Sequence, residues 1–151
     1  QELTGIPKFR MYGGNTAYAE GWALYAEQLA TENNWYEGDP VGQLGQLEAE
    51  LFRARRLVVD TGLHTKKWTR QQVIDYGIPA SEAERYVVFA GQACAYKVGQ
   101  LKILALRAKA RAALGDKFSI KEFHNVVLQS GNMPLAVLEQ VLDAWVAAKK
   151  S

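Results

Sequence analysis

Hydrophobic positions recur every three or four residues along almost the whole chain, and alternation with period two is nearly absent. That is the signature of amphipathic helices rather than strands. A first long helix is predicted from about Asn15 to Thr31, closing near Asn33 and Asn34, with the turn EGDP at 37–40 after it. A second is predicted from about Val41 to Leu63, with Leu44, Leu47, Leu51, Ala54 and Val58 in an a/d-like stripe. Three capping boxes open further segments: Thr69 with Gln72, Ser81 with Glu84, and Ser119 with Glu122. In each, the hydroxyl accepts from a free first-turn amide while the Glu or Gln side chain reaches back.

The longest helix is predicted from Ser81 to about Leu114, closed by Gly115, with Gly91, Ala95 and Gly99 recurring every four residues inside it. Small residues there cost helix stability, and close approach of a neighbouring helix is the usual compensation. A last helix starts at Pro134 and carries Leu135, Leu138, Leu142 and Trp145 at helical spacing. There is no internal repeat and no interdomain linker. The expected fold is all-α, a helical bundle forming a single domain over residues 1–151.

Composition narrows the function classes. Of 151 residues, 48% are hydrophobic, including five Phe, seven Tyr and four Trp, which is enough for a proper core. The net charge is +2 with basic residues spread along the chain, so no electrostatic footprint for nucleic acid is present. Cys94 is the single cysteine, which excludes an internal disulfide framework and a cysteine-based zinc site. No apolar run approaches the roughly 20 residues of a membrane span. The chain opens on Gln1 rather than Met, so it is read as starting inside something longer, and its localisation stays open between cytoplasmic and exported.

The stretch TAYAEGWALYAEQLA, residues 16–30, carries the first candidate chemistry. On a helical wheel Tyr18, Trp22, Tyr25 and Leu29 share one face, while Glu20 and Glu27 lie opposite with Ala17, Ala23, Leu24 and Thr31. These two glutamates are the only charges between Tyr12 and Thr31. A helix apolar on nearly all sides is expected to be buried. A carboxylate buried in it must be paired, protonated or bound to metal. An ion pair with an arginine of the next helix, or exposure on a rim, is the plain alternative.

In the second helix Arg53, Arg56, Asp60 and His64 fall on one stripe, and Arg56 and Asp60 are spaced to pair. The functional alternative is a cleft wall that offers cations to an anionic substrate group. His64 is read as a helix-end cap, a metal ligand or a substrate donor, and His124 as structural or surface-exposed. In the longest helix Tyr86, Ala93, Lys97 and Gln100 align, with Phe89 and Tyr96 beside them. Tyrosine hydroxyls aimed into a cleft stabilise an oxyanion, and lysine binds a carboxylate; packing with a polar tip is the alternative. No nucleophile elbow, P-loop, dinucleotide fingerprint or HExxH occurs. Residue types alone do not name a reaction.

Four segments carry a resemblance: AYAEGWALYAEQLA, LFRARRLVVDTGLHTKKWTRQQVIDY, RYVVFAGQACAYKVGQLKILALR and FHNVVLQSGNMPLAVLEQVLDAWV. Together they resemble the bacterial domain-of-unknown-function family 885 over nearly the whole chain. The resemblance implies the C-terminal part of a larger helical, zincin-like metallopeptidase fold, distantly similar to the angiotensin-converting-enzyme and thermostable carboxypeptidase groups. In that family an HExxPGHH-type segment lies shortly before QELTG and supplies two zinc-binding histidines and the general base.

By this resemblance Glu20 is the third zinc ligand, and a peptide is the substrate. Tyr86 resembles the tyrosine that steadies the oxyanion, with Tyr96 as its competitor, and His64 lines the cleft as a substrate donor or oxyanion partner. Arg53, Arg56 and Lys97 are candidates for holding a peptide carboxylate, while Glu27 and Asp60 orient neighbouring groups. A catalytic zinc takes three protein ligands and an open position, and this chain lacks the histidine pair and the base. Alone it is therefore expected to hold no zinc and to be inactive, and its uncovered apolar face is expected to drive self-association. The competing expectation is a non-catalytic helical binding or scaffold domain with Glu20 in a structural ion pair.

Overall fold

The computed structural model describes residues 2–151 as eight α-helices, with no strand among the described residues. After a short α1 (Lys8–Tyr12), α2 (Thr16–Glu32) begins where the Asn15 side chain accepts the Tyr18 N–H. It ends at Asn33, and Asn34 then takes a left-handed φ of 57° that turns the chain. The Asp39 carboxylate caps α3 (Pro40–Lys66), with Pro40 in the first turn where its missing N–H costs nothing. A complete Thr69–Gln72 capping box opens α4 (Arg70–Asp75). Then follow α5 (Ala80–Val88), α6 (Ala95–Leu114), α7 (Ile120–Gln129) and α8 (Leu135–Lys150).

The architecture is the expected all-α class, and its centre is the α2–α6 pair. Gly21 meets Gly99 near one end and Glu32 meets Arg107 near the other, so the two helices run side by side in the same direction. A Cβ placed on Gly99 would stand 2.6 Å from the Gly21 Cα and closer still to the Ala17 carbonyl oxygen. Tyr18 and Tyr25 of α2 pack with Ile103 and Leu106 of α6, Phe123 and Val127 of α7, and Leu138 and Leu142 of α8 in one core. A second core gathers Val59 of α3, Val73 of α4, Ile78 of the following turn, Ala83 and Tyr86 of α5, and Ala93.

The structure departs from the sequence expectations at several points. The helix expected over Ser81–Leu114 is two helices, interrupted after Val88 and resumed at Ala95 through a 3₁₀ turn at Gln92–Cys94. Gly91 sits in the break with φ 79°, a conformation that favours glycine, and its N–H donates to both Asp60 oxygens at 3.0 and 3.1 Å. Of the small-residue stripe, Gly99 makes the close helix contact, whereas Gly91 serves the break. The Ser81–Glu84 box does not form: α5 starts at Ala80 after Pro79, and Glu84 pairs with Arg70 instead. Ser119 does cap Glu122, but the Glu122 side chain goes to Lys149 rather than back to the cap.

Two apolar surfaces also differ. α2 is not buried all round, since Ala19, Ala23 and Ala26 are exposed. The α3 stripe is uncovered, with Leu44, Leu47 and Leu51 each more than half exposed and Val58 40% exposed.

Candidate functional site

One side of α3 carries Glu50, Arg53, Arg56, Asp60 and His64 at three- and four-residue spacing, which brings them onto a common face. Each is held from a different direction. Lys97 of α6 donates to Glu50 at 2.6 Å and to Gln100 at 2.7 Å. Fully buried Gln100 in turn donates to the Leu24 carbonyl and to Gln28. The Lys97 hydrogen bond holds the Glu50 carboxyl below its ordinary range. Arg53 pairs with Glu27 of α2 at 2.8 Å.

Arg56 is the centre of the densest group. Its Nε donates to the Tyr86 hydroxyl at 3.0 Å and its Nη2 to Glu82 at 2.9 Å. Its guanidinium carbon lies 4.5 Å from the Phe52 ring centroid and 4.9 Å from that of Tyr96, within cation–π range. The Tyr86 hydroxyl donates onward to Glu82 at 2.9 Å, and Arg85 grips the same carboxylate through two nitrogens. The Arg85 hydrogen bonds lead in pulling Glu82 down to about 2. Burial, followed by Glu82, pushes Tyr86 up to about 12. At the end of the row, His64 Nε2 lies 2.9 Å from the Tyr86 carbonyl oxygen. A carbonyl only accepts, so Nε2 carries the hydrogen.

This group makes stability pH-dependent. Glu82 is depressed from 4.5 to about 2 on folding, so its contribution is fully present above about pH 4.5 and is lost as pH falls toward 2. Its side chain is a quarter exposed, so solvent screening trims the effect to roughly 1–2 kcal/mol between pH 5.5 and 3. Urea unfolding of wild type and Glu82→Gln at those two pH values measures it. Wild type loses that much more stability than the variant; equal losses would remove Glu82 as the acid-sensitive group.

The structure brings the sequence-predicted residues to one region but uses them differently. The expected Arg56–Asp60 pair is not formed: Asp60, almost fully buried, spends its carboxylate on Gly91, and Arg56 turns to Glu82 and Tyr86. The expected carboxylate–arginine pair between the first two long helices exists, but Glu27 makes it and Glu20 does not. The Tyr86 hydroxyl is fully committed inside the core. Arg53 and Lys97 are already neutralised by Glu27 and Glu50. The hub Glu82 was missed, although its i,i+4 spacing to Tyr86 at the start of a helix is legible.

Glu20 and Tyr96 stand apart. Both are half-buried, and neither side chain's polar atoms have a hydrogen-bond or ion-pair partner among the described residues. No buried side-chain nitrogen or oxygen there lacks a partner, so the free Glu20 carboxylate and Tyr96 hydroxyl reach solvent. Glu20 is seven residues, about two helical turns, before Glu27, and so shares the side of α2 that meets α3. Tyr96 lies over Arg56 of α3. Both groups therefore face the α3 side of the α2–α6 pair. Among the described residues no three His, Cys, Asp or Glu side chains gather to hold a metal.

No helix among the described residues is long and apolar enough to cross a membrane. No curated protein matches the chain. A solved structure does, "the putative lipoprotein from Colwellia psychrerythraea", at 54% identity and a TM-score of 0.90 over 94% of this chain. The match spans 26% of that protein, so this chain corresponds to about a quarter of its length. The family described as "Bacterial protein of unknown function (DUF885)" matches residues 1–142, and the chain belongs to that family.

Proposed function

We propose that this chain is the C-terminal part of a zinc-dependent peptidase, in which Glu20 is one metal ligand and α3 walls the peptide cleft. The observation that carries the reading is the isolation of Glu20. Glu27, Glu50, Asp60 and Glu82 on this side are each fixed by a cation or a backbone amide, whereas the Glu20 carboxylate has no partner among the described residues. A carboxylate kept free amid fixed pairs is available to a ligand.

The remaining ligands and the general base would come from outside residues 1–151, so the chain alone is proposed to be metal-free and inactive. When bound, the metal supplies Lewis acidity. The chain's own part is then to hold Glu20 on the rigid α2–α6 pair and to donate a hydrogen bond from Tyr96 to the substrate oxygen as charge develops there. Arg56 supports the Tyr96 ring from below. Tyr96 takes this role in preference to Tyr86, whose one O–H is already donated to Glu82. Arg53 and Lys97 act as cleft walls, since a peptide carboxylate would have to displace Glu27 or Glu50. The sequence encoded ahead of Gln1 tests the reading: it should contain an HExxH-type pair, and its absence would remove the peptidase assignment.

The uncovered α3 stripe favours a second property, self-association of the chain with a second copy through Leu44, Leu47 and Leu51. Apolar stripes at this spacing on a 27-residue helix suit helix-to-helix pairing. Sedimentation velocity should show concentration-dependent dimerisation near about 100 µM that Leu47→Lys with Leu51→Lys abolishes. A wild-type chain that stays monomeric would exclude this contact.

A further inference from the structure

A cleft of about 790 Å³ opens on a different side of the bundle, between the C-terminal ends of α2 and α6 and the first turn of α7. Its volume falls within the range of small-ligand sites. Three cations line it, Arg107, Arg111 and Lys121, against one carboxylate, Glu32. Glu32 is taken by Arg107 at 2.8 Å. Arg111 and Lys121 have no carboxylate partner among the described residues; the Arg111 guanidinium lies only over the Phe118 ring, at 5.7 Å.

The rest of the lining is apolar or aromatic. Leu29 forms part of the wall, and Trp35 presents a ring that is 78% exposed. An indole that exposed forgoes most of the burial energy available to a side chain of its size, and here it stands at the edge of a concave, cationic surface. His124 closes the inner end, bonded through Nε2 to the Tyr25 hydroxyl at 2.8 Å. Burial keeps its imidazole below the ordinary histidine range, hence neutral at pH 7. The positive charge of the cleft therefore rests on the arginines and the lysine.

We infer that this cleft binds a small amphipathic organic anion, its carboxylate held by Arg111 and Lys121 and its flat apolar body laid on Trp35 and Leu29. Guanidinium matches carboxylate geometry in a two-pronged hydrogen bond, and the indole face supplies the apolar contact. Neither half suffices alone: an exposed ion pair contributes little in water, and so does one exposed ring. The site is independent of the peptidase reading.

The test uses the 151-residue chain and 2-naphthoate as probe, with calorimetric titration at low salt. Naphthoate should bind 1:1 with a Kd below about 1 mM. Neutral 2-naphthol and apolar-free acetate should each bind at least about tenfold more weakly. Arg111→Gln with Lys121→Gln should weaken naphthoate at least about tenfold and Trp35→Ala at least about threefold. These positions are on the surface, so circular dichroism should be unchanged. Lys66→Gln with Lys67→Gln, equal in charge change, should leave binding intact. No saturable binding of naphthoate, equal binding of naphthol, or an unaffected Arg111/Lys121 variant would each overturn the proposal.

Discussion

Gly99→Ala should destabilise the chain by about 2–3 kcal/mol and lower its melting temperature by roughly 4–12 °C. Two effects oppose each other. Alanine in a helix interior is favoured over glycine by about 1 kcal/mol, which alone would raise stability. Against it, the new methyl lands on the backbone of α2, 2.6 Å from the Gly21 Cα and nearer the Ala17 carbonyl. Backbone cannot rotate away as a side-chain tip can, so α2 and α6 must separate. Tyr18 and Tyr25 then withdraw from Ile103 and Leu106 in the main core, and the packing loss exceeds the propensity gain. Gly45→Ala is the matched control, because its Cβ would meet nothing within 4 Å on α3; it should stabilise by about 0.5–1 kcal/mol. Thermal unfolding decides. A Gly99→Ala chain at or above the wild-type melting temperature would mean that the helix crossing is not closely packed.

The second large effect is on activity. In the whole gene product, Glu20→Gln should cost at least about a hundredfold in kcat/KM on short peptides while changing stability by less than about 0.5 kcal/mol. The asymmetry follows from the structure: Glu20 has no partner to lose among the described residues. Glu27→Gln should show the reverse, breaking the Arg53 pair for about 1 kcal/mol and leaving turnover nearly intact. The tyrosines divide similarly. Tyr96→Phe should lower kcat by about ten- to a thousandfold with little change in KM. Tyr86→Phe should cost about 1–3 kcal/mol of stability, because Arg56 and Glu82 lose a shared buried partner. Normal turnover by Glu20→Gln, or a stability loss as large as that of Glu27→Gln, would place Glu20 among the structural carboxylates.

The division between what the sequence reveals and what it hides has a physical cause. Caps and periodicity are local, so Asn15, Asp39, Thr69 and Gly115 locate helix ends without knowledge of the fold. The break at Gly91 was hidden because its cause is 31 residues away, at Asp60. Without that partner the segment 81–114 reads as uninterrupted helix. Charge pairing was misread for the same reason. Arg56 and Asp60 satisfy the i,i+4 rule, but buried groups answer to the nearest unsatisfied donor or acceptor, and those are supplied by other helices. The wheel did place Glu20 and Glu27 on one face. It could not say which of the two finds an arginine, since that depends on where α3 crosses.

On the proposed reading, Glu20 is kept free for a metal. Zinc content of the purified whole gene product, wild type against Glu20→Gln, decides this. We predict about one zinc per wild-type chain and loss of most of it from the variant after dialysis, with both proteins equally folded. A Glu20→Gln protein that retains zinc at wild-type stoichiometry and affinity would remove Glu20 from the metal's ligands.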